Sequence, residues 1–240
     1  MNDLPPSPSK PVPGRRSKSG EAGVQTTKRA ILDAAEDLFA ERGIDATSVR
    51  DITQTAGVNL GAIHYHFGSK NELIVEVFSR GLTPLNQMRM NLLAQVEQAA
   101  GKDALPLEEV LRAFIKPTVE YLVAEDGTPI KFLRLLCRCF QEPHPQLATL
   151  LAEHFQELFL RFNKGLLRAV PGMPEGELFW RMTFMFGSLH QSLDTWVQFD
   201  SNPFTCMEGA PRAARLSRDE LGEALISYST AGFRSAGSRA

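Results

Sequence analysis

Residues Ser48 to Phe67, SVRDITQTAGVNLGAIHYHF, set the reading of the whole chain. Val49, Ile52 and Ala56 recur at the spacing of one helix face, and Gly57 supplies the φ > 0 backbone that a tight turn requires. Asn59 is placed to cap a second short helix, whose inward residues are Ile63 and Phe67. Leu60, Gly61, Ala62, His64 and Tyr65 are then left facing outward. Two small residues allow close approach and two rings can donate hydrogen bonds, a set suited to base edges and phosphates. Two short helices about such a turn form the arrangement that presents a helix to the DNA major groove.

Helical patterning continues on both sides. A helix over about Thr27 to Arg42 buries Ile31, Ala34, Ala35, Leu38 and Phe39 and stops at Gly43. Downstream, Ser69 and Glu72 form a capping-box pair ahead of Leu73, Ile74, Val77 and Phe78. Pro84 removes an N–H and crowds the carbonyl of Arg80, which predicts a kink between Gly81 and Pro84 and a joint at that point. Further helices are expected from Pro106 to about Ala124 with an interruption at Pro117, from the Thr128-Pro129 cap to about Gln141, over Pro145 to Val170, from Pro174, and from the Ser217/Glu220 cap to the end. No sustained two-residue alternation occurs, so the fold class is all-α.

Bulk properties narrow the function. The chain has 240 residues, 43% of them apolar, and a formal charge of only -2, so binding to nucleic acid cannot rest on overall basicity. Region 26–80 is itself acidic, and only positive charge placed where phosphates pass can help. Cys137, Cys139 and Cys206 are few, odd in number and without zinc-ligand spacing, which fits a reducing compartment. Met182 to Leu193 is charge-free yet too short and too polar to span a bilayer, and no secretory signal core precedes the helices, so a cytoplasmic location is expected. Five prolines and several serines mark residues 1–25 as a flexible tail. Its Arg15, Arg16 and Lys18 either reach along DNA or remain a solvated patch.

Catalytic chemistry has no candidate. Gly187-Ser188 is not a nucleophile elbow, no glycine-rich phosphate loop is present, and no cofactor is implied. His64 and His66 diverge on a helix and lack a third ligand, so they do not read as a metal site.

From Thr26 to Phe78 the chain resembles the TetR family of bacterial transcriptional regulators. The resemblance rests on ILDAAEDLFAERGIDATSVRDIT and AGVNLGAIHYHFGSKNELI, which join the first helix, the Ala56-Gly57-Val58 turn, the Tyr65-His66-Phe67 step and Lys70 in order and spacing. It implies that residues 26–80 bind double-stranded operator DNA and that residues 81–240 dimerise and sense a ligand. By motif, Thr47 or Ser48 and Arg50 touch the DNA backbone, Leu60, Gly61 and Ala62 face bases, and His64, Tyr65 and Lys70 contact phosphate or the groove edge. Asn59 caps or contacts DNA. His64 departs from the tyrosine more usual in the family. The last two helices, about Glu175 to Phe199 and Ser217 to Ser235, are implied to pair with a second copy, with Gly222, Ala224, Ser227 and Ala231 allowing close approach and Leu225 within the interface. Two reading heads then meet successive major grooves about 34 Å apart, and the operator is near-palindromic.

The C-terminal half is rich in phenylalanine and methionine over three helices, which either fill a core or line a pocket for a long apolar ligand. GELFWRMTFMFGSLHQSL, Gly176 to Leu193, with FLRLLCRCFQEP before it, is similar to the sensing domain of the PsrA-like branch, which responds to fatty acids. Three helices that a bundle would bring together supply Phe132, Leu136, Phe155, Phe159, Met182, Phe186 and His190 as the candidate ligand residues, with Arg134, His190 and Gln191 as partners for a carboxylate or thioester head. An aromatic or drug-like effector, and a chromosome-organising protein with no effector, stay open as alternatives.

Overall fold

A computed structural model of the chain describes residues 18–122, 131–136, 145–202 and 215–235. Nine helices follow one another through these residues: α1 (Lys18–Arg42), α2 (Val49–Ala56), α3 (Gly61–Phe67), α4 (Lys70–Ala100), α5 (Leu107–Leu122), α6 (131–136), α7 (Pro145–Ala169), α8 (Glu175–Val197) and α9 (Arg218–Arg234). A short 3-10 turn, Phe199–Ser201, follows α8. Among the described residues there is no strand, and the expected all-α class holds. No helix there is long and apolar enough to cross a membrane. The proline-rich start, the Thr128-Pro129 cap, Gln141, the three cysteines and the loop from Pro203 to Pro211 lie outside the described residues.

Local signals account for most boundaries. Ser48 and Asp51 form a reciprocal capping box at the start of α2, and Gly57 ends it with φ 68. Ser69 accepts from the Glu72 N–H at the start of α4, and Ser217 with Glu220 caps α9. One boundary and two expected interruptions differ from expectation. Helix α1 begins at Lys18, well before Thr27, because no proline interrupts residues 18–26 and the Thr27 hydroxyl binds back to the Gly23 carbonyl at 3.0 Å. Helix α4 runs through Pro84 without a break: the ring faces outward while Leu82 and Leu85 on either side are buried. Pro117 likewise lies inside a continuous α5.

The apolar core runs unbroken from α1 to α9, with Phe39, Phe78, Phe114 and Phe162 fully enclosed. Helix α3 packs on α1 and α4, α4 continues against α5 and α7, and α9 lies along α5. The guanidinium of Arg181 on α8 binds Glu177 of its own helix and the carbonyls of Gly232 and Ser235, tying α8 to the end of α9. Each carbonyl so held is one of the acceptors that a helix end leaves without an internal partner.

Candidate DNA interface and ligand cavity

Helices α2 and α3 meet across Gly57, whose neighbour Val58 donates to the Thr53 carbonyl at 3.0 Å. Ile63 and Phe67 turn inward as expected, while Leu60 is 56% exposed and Tyr65 75% exposed. Gly61, His64 and Asn59 are also on the surface. The Nδ1–H of His64 donates to the Gly68 carbonyl at 2.8 Å, which fixes the ring and turns Nε2 away from that bond. Ser48 and Arg50 are exposed at the start of α2.

Four expected roles change. Ala62 is buried, because the face of α3 that meets α1 and α4 is wide enough to take in residues 62, 63 and 67. Asn59 makes no side-chain cap: the α3 cap position is Leu60, already helical, and Asn59 contributes its carbonyl to the Ala62 N–H. Thr47 is 1% exposed, and its hydroxyl donates to the Gly43 carbonyl at 2.7 Å, which leaves Ser48 as the surface member of that pair. Lys70 is half-buried and its Nζ donates to the Ile44 carbonyl at 2.6 Å, so it bridges α4 to the turn after α1.

Charge is also sorted. Lys28 pairs with Glu76 at 2.6 Å, Arg80 with Asp33 at 2.6 Å and with Glu36, and Lys131 with Asp37 at 2.7 Å. These pairs neutralise acidic groups between α1 and the helices behind it. Asp51 and Glu72 are engaged in caps, and two hydrogen bonds from Ser48 hold the Asp51 carboxyl below its ordinary range. Arg42 and Arg50 are exposed and, among the described residues, form no ion pair within contact distance; both lie near enough to Asp51 to help hold its carboxyl down, and they place positive charge on the side of α2.

Behind the reading head lies a cavity of about 860 Å³, a size that suits one small-molecule ligand. Leu82, Leu85 and Arg89 of α4, Thr118 of α5 and Leu136 of α6 form its buried floor. Phe155 and Phe159 of α7 and Phe186 and His190 of α8 line its wall. The Phe159 ring lies 5.9 Å from Phe155 and 5.2 Å from Phe186. Exposed residues of α7 and α8, among them Glu153, Gln156, Gly187 and Gln191, rim the opening.

Of the expected ligand residues, the structure brings Leu136, Phe155, Phe159, Phe186 and His190 to this cavity, and Gln191 to its rim. Phe132 and Met182 are core instead: Phe132 packs edge-on to Phe78 at 6.1 Å and onto Gly81, and Met182 is 4% exposed in the packed interior. Arg134 is exposed and does not line the cavity. Burial holds His190 down to about 4, with Arg89 adding to the effect, so its imidazole is neutral at ordinary pH. The floor residues Leu82, Leu85, Arg89 and Thr118 are lining residues that the sequence did not single out, and Arg89 is the charged one among them. Among the described residues, no group of three or more His, Cys, Asp or Glu could hold a metal.

Comparison with known proteins places these features. Residues 31–77 match the family described as bacterial regulatory proteins, tetR family, and residues 112–232 match the tetracyclin repressor-like C-terminal domain. The chain is 41% identical over 80 residues to the HTH-type transcriptional repressor Rv3405c of Mycobacterium tuberculosis, which covers 33% of this chain and 42% of that protein. The chain thus spans under half the length of that relative. Among solved structures, FadR from Bacillus subtilis in complex with stearoyl-CoA is similar with a TM-score of 0.57 at 17% identity, over 85% of this chain and 98% of that one. A transcriptional regulator from Saccharomonospora viridis in complex with choline gives 0.54 at 18% identity, over 85% and 95%. At these identities the two structures share the fold, and their ligands differ in chemistry.

Proposed function

The chain belongs to the TetR family of bacterial transcriptional regulators, and from that premise we propose that it is a repressor that binds a near-palindromic operator as a homodimer and leaves it when a small apolar effector enters the cavity. Leu60 and Gly61 would meet base edges, and Ser48, Arg50, His64 and Tyr65 would contact the sugar-phosphate backbone or groove edge. Lys70 would join them only with the donors left by its bond to Ile44.

A dimer face is supported by exposed apolar side chains on the last two helices. Phe179, Trp180 and Phe184 of α8 and Tyr228 of α9 are all more than half exposed, a cluster that a soluble monomer rarely leaves open. Ala224, Ser227 and Ala231 lie on the exposed side of α9 with Tyr228. Gly222 and Leu225 face inward toward α5 and are not part of this surface.

The observation that carries the effector reading is the course of α4. It starts at Lys70, beside the reading head, and its Leu82, Leu85 and Arg89 form the cavity floor. A ligand that prefers one setting of α4 therefore biases the spacing of the two heads, which is the condition for it to loosen DNA binding. The mainly apolar wall, the PsrA-like segment Gly176 to Leu193 and the stearoyl-CoA complex of FadR support a fatty acid or acyl-CoA. The cluster of Phe155, Phe159 and Phe186 favours an aromatic effector as the second reading, since such rings stack on planar ligands. Operator release against acyl compounds of increasing chain length, beside a panel of planar aromatic compounds, tests the two. Each buried CH₂ adds about 0.8 kcal/mol, so release should sharpen with length until the cavity is full. Release by the aromatic panel alone would reject the acyl reading.

A further inference from the structure

Arg89 is the least ordinary group in the cavity. It sits on α4 with 4% exposure, and among the described residues no carboxylate pairs with it. Its Nε donates to the Phe114 carbonyl at 3.3 Å, one Nη to Asn86 at 3.1 Å and the other to the Thr118 hydroxyl at 2.7 Å, while the guanidinium plane lies 4.0 Å from the Phe114 ring. Those bonds use three of the five N–H donors and fix the fork in place. They do not neutralise it. A buried cation without a counter-ion is unfavourable unless something of opposite charge joins it.

We propose that Arg89 receives the carboxylate of the effector, so that the cavity takes a free acid with its head against the guanidinium and its apolar chain along Leu82, Leu85, Leu136, Phe155, Phe159 and Phe186. The assignment rests on the effector reading above and narrows it. Two free N–H groups in a planar fork match the two oxygens of a carboxylate. Burial lowers Arg89 only to about 9, so the cation persists at neutral pH. His190, near Arg89 and held neutral, adds no competing charge.

The rim argues against an acyl-CoA. Glu153 and Asp194 are the acidic groups around the opening, the latter also accepting from Gln198 at 2.6 Å. An acyl-CoA whose chain ran along the floor would place its phosphates at that opening, facing these carboxylates. A thioester also presents no negative charge to Arg89.

The test is titration of the purified full-length protein with dodecanoate, dodecanol, dodecanamide and dodecanoyl-CoA, followed by calorimetry and by release of bound operator. Dodecanoate should bind about tenfold or more tighter than the alcohol and the amide, the advantage of a charge-assisted pair. Arg89→Gln should weaken dodecanoate far more than dodecanol, so that the difference between the two disappears. If Arg89→Gln does not fold, the head-group series on the unaltered protein decides alone. Equal binding of the acid and its neutral analogues, or release by dodecanoyl-CoA with none by dodecanoate, overturns the carboxylate assignment and leaves an apolar effector standing. Silence of the whole aliphatic series overturns the assignment and the acyl reading together.

Discussion

The ring of Phe132 rests directly on Gly81, and no side chain larger than hydrogen fits between α6 and α4 at that point. Phe132 in turn meets Phe78 edge-on, so α6 is seated against the stretch of α4 that joins the reading head to the cavity floor. What marks this joint is a glycine that admits a ring from α6. The Pro84 expected to mark it lies within a continuous helix.

Gly81→Ala should therefore be destabilising. Overpacking costs about 1–3 kcal/mol, against a helix-propensity gain of about 1 kcal/mol for alanine over glycine. Urea unfolding should show a lower midpoint for Gly81→Ala, and combining it with Phe132→Ala should cost less than the two separate losses added together. A Gly81→Ala protein at least as stable as the original would mean that the ring does not occupy this space.

The interface and the core of α9 can be separated by two substitutions. Tyr228→Glu, on the exposed side, should shift sedimentation toward monomer and abolish operator binding with helical content unchanged. Leu225→Asp, 6% exposed against α5, should instead lose helical structure. A folded dimer of Tyr228→Glu would put the interface on another surface.

On the reading head, the exposed Arg50 and the hydrogen-bonded Lys70 should behave differently. Arg50→Ala should weaken binding to every duplex, lower the salt slope by about one unit, and leave thermal stability alone. Lys70→Ala should weaken binding and also cost about 0.5–1.5 kcal/mol of stability, through its lost bond to Ile44. Leu60 substitutions should alter which operator variants are preferred. Gel shifts over a salt series, with thermal melts alongside, distinguish the three, and identical profiles for Arg50→Ala and Lys70→Ala would mean that the Lys70 bond to Ile44 contributes nothing to stability.

His190 predicts a pH dependence. Its folded pKa of about 4 lies below the ordinary value of 6.5, so as pH falls below 6.5 the unfolded chain takes up a proton that the folded one refuses. Stability contributed by the neutral ring is present above 6.5, declines as pH falls toward 4, and falls no further below that. The charged or titratable groups around it are Arg89, Glu153 and Asp194. His190→Gln should flatten the unfolding free energy between pH 6.5 and 4, and an unchanged slope would show that the ring is not held neutral by burial.

The parts that were legible in the sequence are those fixed by near neighbours. The Ser69/Glu72 and Ser217/Glu220 caps, the Gly57 turn and the inward Ile63 and Phe67 depend on spacings of a few residues, and the structure places them as read. Lys70 meeting Ile44 is a contact between distant positions that no local pattern carries. Phe132 and Met182 could not be told from Phe155 and Phe186, since all four are apolar on helices and only the packing of several helices decides which ones border empty space. Leu225 belongs to the apolar stripe of α9, but a stripe does not say whether it faces α5 or a second copy. Arg89 did have a signal: with Leu82, Leu85 and Leu93 it falls on one buried face of α4, an unusual place for arginine.

The central claim is sequence-specific operator binding by a paired reading head. Selection of bound duplexes from a random-sequence pool by the full-length protein, sequenced over successive rounds, measures it directly. A paired reading head should enrich a near-palindrome whose half-sites are about one helical turn or a multiple of it apart, and Tyr65→Phe combined with Arg50→Ala should lose that enrichment. A pool that stays unenriched, with all duplexes bound alike, would contradict it and favour a DNA-organising protein without an operator.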